Sequence, residues 1–392
     1  MKNFIYYTPT KIYFGKDEEN KIGQIVKEYH PNKVLIVYGG GSIKKIGLYD
    51  RVIKSLDNEN IKYVELSGVK ANPELDLVYR GIALARKEKV DFVLAIGGGS
   101  VLDTAKDIAN GVNAYEDDVW DYHLAKKKPT NSLHKGAILT IAAAGSEMSN
   151  SCVISNPLTK EKRGYNSDFN RFDFAIENPE LTYSVSIYQT GCGIVDISMH
   201  TIERYFDLGD VSALTDNIAL SLIKTVFQYG LIASKEPNNY EARSELMWAS
   251  SLAHNGLTHM GRDFLLTVHR LEHELSALYP NIAHGAGLSA LWCSWARYTY
   301  KKCMDRFLKY VHEIWNIEGN DEEAILKGIK KQEDYYKNIG MPTSLEELNV
   351  NKEDLQYLAN RCSQNKTRVI SGYYPLGYQE ILDIYLLSYP KR

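Results

Sequence analysis

The chain has 392 residues with 46 Lys+Arg against 49 Asp+Glu, a net charge of -3, and only 10 histidines and 5 cysteines. Charges that nearly cancel and form no long blocks exclude the basic surface that nucleic-acid or anionic-membrane binding needs, and no apolar run approaches the roughly 20 residues that span a bilayer. The cysteines (Cys152, Cys192, Cys293, Cys303, Cys362) are widely spaced with no Cys-x-x-Cys pair, which reads as reduced structural thiols.

The opening "MKNFIYYTPTKIYFG" lacks the basic head, apolar run and small-residue cleavage site of an export signal, so a cytoplasmic protein is expected. Single cores seldom grow past roughly 250–300 residues, so this length predicts two domains. In the first part, short apolar runs alternate with amphipathic stretches: "KVLIVY", "YVEL", "DFVLAI" and "GAILTIA". That alternation predicts an α/β domain, a doubly wound and mostly parallel sheet with helices on both faces. After about Pro179, segments such as "TDNIALSLIKTVFQYGLIAS" and "EARSELMWASSLAHNGL" place apolar residues at helical spacing. The expected division is an α/β domain over 1–183 and an all-α domain over 184–392.

Two glycine turns follow predicted strands. The first, Gly39, Gly40, Gly41 and Ser42, leads into Lys44 and Lys45; the second, Gly97, Gly98 and Gly99, leads into a helix beginning near Ser100. Glycines there let backbone amides and the positive helix end approach a phosphate. Neither turn is the G-x-G-x-x-G dinucleotide fingerprint. Ser100 and Asp103 fit either a Ser-x-x-Asp capping pair or a nucleotide contact. If the first turn meets an adenosine ribose, it offers amides, a hydroxyl and positive charge rather than the carboxylate of an NAD-selective site, which points to NADP(H). Solvated surface lysines are the plain alternative for Lys44 and Lys45.

Residues four apart share a helix face, so Asp196 and His200 in "GIVDISMHTIERYF" project together, as do His269 and His273 in "HRLEHEL". His284 follows in "PNIAHGAGL", read as a loop after a helix-ending proline, with Gly285 and Gly287 relaxing the backbone. Three histidines and one carboxylate suit Zn²⁺, Fe²⁺, Mn²⁺ or Ni²⁺ rather than Ca²⁺ or Mg²⁺. "HRLEHEL" is not His-Glu-x-x-His, so the zinc-protease reading fails on spacing. His254 and His259 read as polar or cleft-edge residues.

Taken together, "PTKIYFG", "GGGSIKK", "NPELDLVYRG", "GGGSVLDTAKDIA", "LTIAAAGSEMS", "GIVDISMHTIE" and "HRLEHELSALYPNIAHGAGL" resemble, in order and spacing, the iron-containing (metal-dependent) alcohol dehydrogenases, most closely their NADPH-dependent butanol dehydrogenase and aldehyde reductase branch. The resemblance covers nearly the whole chain. It implies a dehydroquinate synthase-like architecture, with the dinucleotide in the N-terminal domain, the metal in the helical one and the active site in the cleft between them. It implies Asp196, His200, His269 and His284 as ligands of one divalent ion, Fe²⁺ or Zn²⁺, with His273 near the nicotinamide. It assigns Gly99, Ser100 and Asp103 to pyrophosphate and nicotinamide contacts, with Thr140, Ser149 and Lys162 on neighbouring loops. Two departures stand out: Ala144-Gly145-Ser146-Glu147 replaces the family's Thr-Gly-Ser-Glu, and the His269–His284 spacing is one residue longer, so a small bulge is expected before His284.

The expected activity is reduction of a short aldehyde, such as butanal, by hydride from NADP(H), with a metal-polarised carbonyl and His273 passing the proton. Two alternatives stay open: a dehydroquinate-synthase-like lyase with tightly held NAD, and a non-catalytic nucleotide or metal sensor. The apolar surroundings "LSALY" and "LSALWCSWARY" favour a small neutral aldehyde over a phosphorylated substrate. A homodimer is expected from the family, with the aromatic segment "FIYYTPTKIYF" as part of its contact.

Overall fold

In the computed structural model, residues 1–206, 208, 212–263 and 265–389 are described. The chain forms two compact units. One comprises Tyr7–Val185 with Asn238–Asn255; the other comprises Met1–Tyr6, Ser186–Pro237 and Gly256–Arg392.

Eight strands build the first unit: β1 (Lys11–Phe14), β2 (Val34–Tyr38), β3 (Tyr63–Leu66), β4 (Phe92–Gly97), β5 (His134–Leu139), β6 (Ser151–Asn156), β7 (Glu161–Asn166) and β8 (Phe174–Glu177). Six of them pair in parallel in the order β1-β8-β5-β4-β2-β3, and β6 and β7 form a separate antiparallel hairpin. The four apolar runs of the sequence are β2 to β5, the middle of the sheet and one edge. Because the central strands are buried on both faces, they read as continuous apolar runs. Leu35, Val37, Val93 and Ala95 pack with the helices Leu75–Glu88 and Gly99–Gly111 on one face. Val34, Ile36, Phe92, Leu94 and Ile96 pack with Ile22–Lys27 and Leu48–Asn58 on the other. The sheet is therefore doubly wound.

Its winding places a site. From β2 the chain steps to β3 at one edge, then crosses to β4 on the other flank of β2 and proceeds through β5 toward the opposite edge. In such sheets ligands bind outside the carboxyl ends of the strands where the winding reverses. Here that point lies between β2 and β4, the two strands that end in the glycine turns.

The helix Tyr240–His254, capped by Asn239, belongs to this unit despite its distance in sequence. Its Ser251 hydroxyl lies 2.6 Å from a carboxyl oxygen of Glu147 and 2.7 Å from one of Glu177. One hydroxyl proton cannot serve two carboxylates, so at least one of the buried pair carries its own proton. Burial raises both carboxyls, and for Glu177 the neighbouring Glu147 adds to it.

The second unit is helical: Ile187–Tyr205, Ala213–Lys235, Thr267–Leu278, His284–Thr299, Met304–Trp315, Glu322–Asn338, Leu355–Cys362 and Tyr378–Leu387. Ser186 caps the first of these by accepting from the Gln189 amide. Among the described residues, no helix is long and apolar enough to cross a membrane. The five cysteines are free thiols.

A carboxyl raised by folding contributes stability that is complete at low pH and is lost as pH rises through its folded value. The melting temperature should therefore decline as pH climbs above the ordinary carboxylate range, and Glu177→Gln should flatten that decline. An unchanged slope in Glu177→Gln would refute the shared-proton account.

Candidate functional site

Three helices of the second unit converge on one carboxylate. Ile187–Tyr205 carries Asp196, His200 and Glu203 on one face, Thr267–Leu278 carries His269, Glu272 and His273, and His284–Thr299 begins with His284. Asp196 Oδ1 lies 3.1 Å from His200 Nδ1, 3.6 Å from His269 Nε2 and 3.8 Å from His284 Nε2. One ligating atom each from Asp196, His200 and His269 falls within 4.8 Å of the others, and all three residues are buried. Among the described residues, Asp196 Oδ1 and His269 Nε2 are buried with no hydrogen-bond partner. Buried polar atoms are nearly always paired, so two of them facing each other suit an ion between them.

The charges agree. Burial opposes the charge of Asp196, yet the histidines around it hold its carboxyl well below the usual range. Burial pushes His200 down to about 4. Burial also disfavours the charged form of His269, but the Glu203 and Asp196 carboxylates together outweigh it and lift this imidazole to about 9.

Glu203 and Glu272 went unremarked as functional residues in the sequence. His269 Nδ1 meets Glu203, and His284 Nδ1 meets Glu272, so each ring turns its Nε2 toward Asp196. A carboxylate behind an imidazole fixes its tautomer and orientation and raises its basicity as a ligand. Glu203 also accepts from the amides of Val268 and His269, the latter at 3.1 Å, and so caps a helix whose own N-cap, Leu266, offers no side chain. The available signal was periodicity: Glu203 lies two turns after Asp196, and Glu272 one turn after His269.

The loop expected before His284 is shorter than predicted, for His284 is the first residue of a helix. The turn Tyr279–Ile282, closed by the Ile282 amide on the Tyr279 carbonyl at 3.0 Å, takes up the connection without a bulge in front of the histidine. Gly285 and Gly287 do not relax a loop. A Cβ on Gly285 would collide with the Cys192 carbonyl, and one on Gly287 would lie 2.7 Å from Glu272 Cγ. Glycine is what lets this helix approach its two neighbours closely enough for His284 to face Asp196. His273 is half-buried, its ring centroid 5.5 Å from that of His284 and 6.5 Å from that of His269.

In the sheet unit, Gly98 caps the helix Gly99–Gly111 with no side-chain hydrogen bond, so Ser100 and Asp103 do not form the capping pair. Asp103 instead accepts from the Ser146 hydroxyl at 2.6 Å and the Val153 amide at 2.9 Å, with Lys106 Nζ 3.3 Å away. Its carboxylate joins the helix to the loop and to β6. Ser149 is fully buried, its hydroxyl accepting from the Ser151 amide at 2.9 Å. Thr140 sits at the carboxyl end of β5, its amide on the Gly97 carbonyl at 3.0 Å. Lys162 reaches Asn72 Oδ1 at 3.1 Å from the hairpin. Gly40 and Gly41 have open space where a side chain would sit, and Gly41 has φ 128°. The protonated Nδ1 of His254 donates to the Ala144 carbonyl at 2.7 Å, tying the helix Tyr240–His254 to the loop after β5.

A model of the iron-containing alcohol dehydrogenase family matches residues 9–179, and one of the Fe-containing alcohol dehydrogenase family, C-terminal, matches residues 190–389. The chain belongs to the iron-containing alcohol dehydrogenase family. This alcohol dehydrogenase is 41% identical to NADH-dependent butanol dehydrogenase A of Clostridium acetobutylicum, over 99% of this chain and 100% of that protein. It is 33% identical to the NADPH-dependent aldehyde reductase YqhD of Escherichia coli, over 93% of this chain and 94% of that one. It matches the crystal structure of NADH-dependent butanol dehydrogenase A from Thermotoga maritima with a TM-score of 0.96 and 38% identity, covering 100% of this chain and 99% of that one. Membership makes the chain an alcohol/aldehyde oxidoreductase of a class that pairs a nicotinamide coenzyme with an iron-type metal.

Because the Gly285 contact is backbone against backbone, Gly285→Ala should destabilise the alcohol dehydrogenase by about 1–3 kcal/mol. Chemical denaturation would measure it, and an unchanged midpoint would mean that the close approach of the two helices is not needed.

Proposed function

We propose that the protein reduces short-chain aldehydes such as butanal to primary alcohols, with NADP(H) as hydride donor and one divalent ion, Fe²⁺ or Zn²⁺, held by Asp196, His200, His269 and His284. The observation that carries this reading is the buried Asp196 carboxylate, faced by imidazoles that are backed by Glu203 and Glu272. When bound, the ion would supply Lewis-acid polarisation of the carbonyl and the nicotinamide its hydride. The chain's own residues hold, orient and move a proton. Asp196 neutralises only part of a dication, which leaves positive charge for a carbonyl oxygen. His273, half-buried beside His284, passes the proton that the product oxygen needs, the usual task of an imidazole.

On the coenzyme, two observations pull apart. Gly40, Gly41, Ser42, Lys44 and Lys45 offer open backbone, a hydroxyl and positive charge, which favours a 2′-phosphate. The names of the Clostridium acetobutylicum and Thermotoga maritima relatives favour NADH, and that of the Escherichia coli relative favours NADPH. We take the residues as the guide. Gly98, Gly99, Ser100 and Thr140 line the phosphate side of this reading, with Lys162 at its rim, while Asp103 and Ser149 act through the scaffold. We also propose a homodimer, since β1 is an edge strand and Phe4, Ile5, Tyr6 and Tyr7 are exposed. A monomer by light scattering at micromolar concentration would remove it.

The deciding assay is butanal-dependent oxidation of NADPH and NADH on protein loaded anaerobically with Fe²⁺ or Zn²⁺, beside chelator-stripped protein. Metal-dependent turnover with NADPH preferred is expected; none with either coenzyme would overturn the reading. His273→Ala should lower kcat by about 10²–10⁴ with metal content intact, whereas loss of the metal would make His273 a ligand. Glu203→Gln and Glu272→Gln should each weaken metal binding about 10–100-fold in competition with a chromogenic chelator, and unchanged affinity would leave the two carboxylates structural.

A further inference from the structure

The turn after β2 carries no carboxylate, but the neighbouring strand does. Glu65 on β3 stands opposite Ile36 of β2 in the register, on the sheet face that Tyr38 shares. The Tyr38 hydroxyl donates to Glu65 Oε2 at 2.7 Å, and the Tyr49 hydroxyl, from the helix Leu48–Asn58, donates to Glu65 Oε1 at 2.7 Å. Both carboxylate oxygens are thus engaged by tyrosines. Lys44, in the short helix Ser42–Lys45, lays its ammonium over the Tyr49 ring at 4.5 Å and the Tyr38 ring at 5.3 Å. The cation therefore rests on the faces of the same two rings whose hydroxyls hold the anion. Beside it, the backbone of Gly40 and Gly41 is open. The loops after β2 and β3 are joined there, the Gly68 amide donating to the Gly39 carbonyl at 3.2 Å and the Val69 amide to the Tyr38 carbonyl at 3.3 Å.

A carboxylate at this strand end is what selects NADH, because it accepts from the ribose 2′-hydroxyl and repels a 2′-phosphate. We propose that Tyr38 and Tyr49 are specificity-determining residues for the coenzyme: by occupying both oxygens of Glu65 they withhold it from a ribose 2′-hydroxyl and leave Lys44 to a 2′-phosphate. The inference rests on the reading that the turn after β2 holds the adenosine ribose. Without the two hydroxyls, the half-buried carboxylate is short of donors and takes the nearest one. That donor is either Lys44, which is then lost to a 2′-phosphate, or a 2′-hydroxyl, which improves NADH. Both routes move preference in one direction.

The test uses the metal-loaded full-length enzyme, and reads Kd for NADPH and for NADH from their fluorescence on binding, beside kcat/KM for each with butanal, in wild type, Y38F, Y49F, Y38F/Y49F, E65Q and Y38F/Y49F/E65Q. Phenylalanine keeps both rings, so the seat of Lys44 survives and only the hydroxyls are removed. The NADPH-to-NADH ratio is expected to fall about tenfold or more in Y38F/Y49F, by less in each single variant, and to recover in the triple variant, where no carboxylate remains. If the double variant does not fold, Y49F alone carries the comparison. A ratio unchanged in these variants, or one that falls equally when Glu65 is absent, overturns the proposal. The coenzyme reading is scored apart from this, by the wild-type ratio: a wild type that prefers NADH sinks the 2′-phosphate reading, while the change on removing the hydroxyls still decides the role of the tyrosines.

Discussion

The helical unit is organised around one buried negative charge. Asp196 is 5% exposed, and an ionised carboxylate so far from water is costly unless positive charge or donors surround it. The imidazoles of His200, His269 and His284 crowd its Oδ1 without satisfying it. Everything near the site serves that arrangement. Glu203 and Glu272 turn two rings inward, and Gly285 and Gly287 remove the side chains that would hold the third helix away.

Four residues arriving from three helices need those helices fixed to within fractions of an ångström, and the packing supplies this without a loop. Glu203 contributes twice, since the carboxylate that orients His269 also accepts the free amides at the start of the helix bearing it. The position of His269 and the beginning of its helix are set by one side chain. In the sheet unit the corresponding rigidity comes from parallel pairing and from apolar faces packed on both sides.

Much of this was legible because it is periodic. Asp196 and His200 sit four apart, the buried strands β2 and β4 are uninterrupted apolar runs, and β5 ends in one. What escaped was of two kinds. β1 and β8 are no longer than β3, four residues each, but lack its place in the alternation of strand and helix, and the hairpin β6–β7 is too polar to read as a strand pair. Glu203, Glu272 and Glu65 escaped because a glutamate is by default a solvated residue, and its partners lie on other elements: His269 on a second helix, Tyr49 on the helix that precedes β3. The reading of His284 as a loop residue followed from Pro280, whose influence ends within the turn Tyr279–Ile282.

Asp103 has a bearing on how variants of such sites are interpreted. It lies in the motif-like segment after the second glycine turn, where a functional contact is the natural assumption, and its oxygens also hold Ser146, Val153 and Lys106. Removing it would release the loop at Ser146 and the first residues of β6 at once, leaving Lys106 buried without its counter-charge. Lost activity at this position would then report a collapsed joint between three pieces of scaffold, and would look the same in an assay as the loss of a residue that touches the coenzyme.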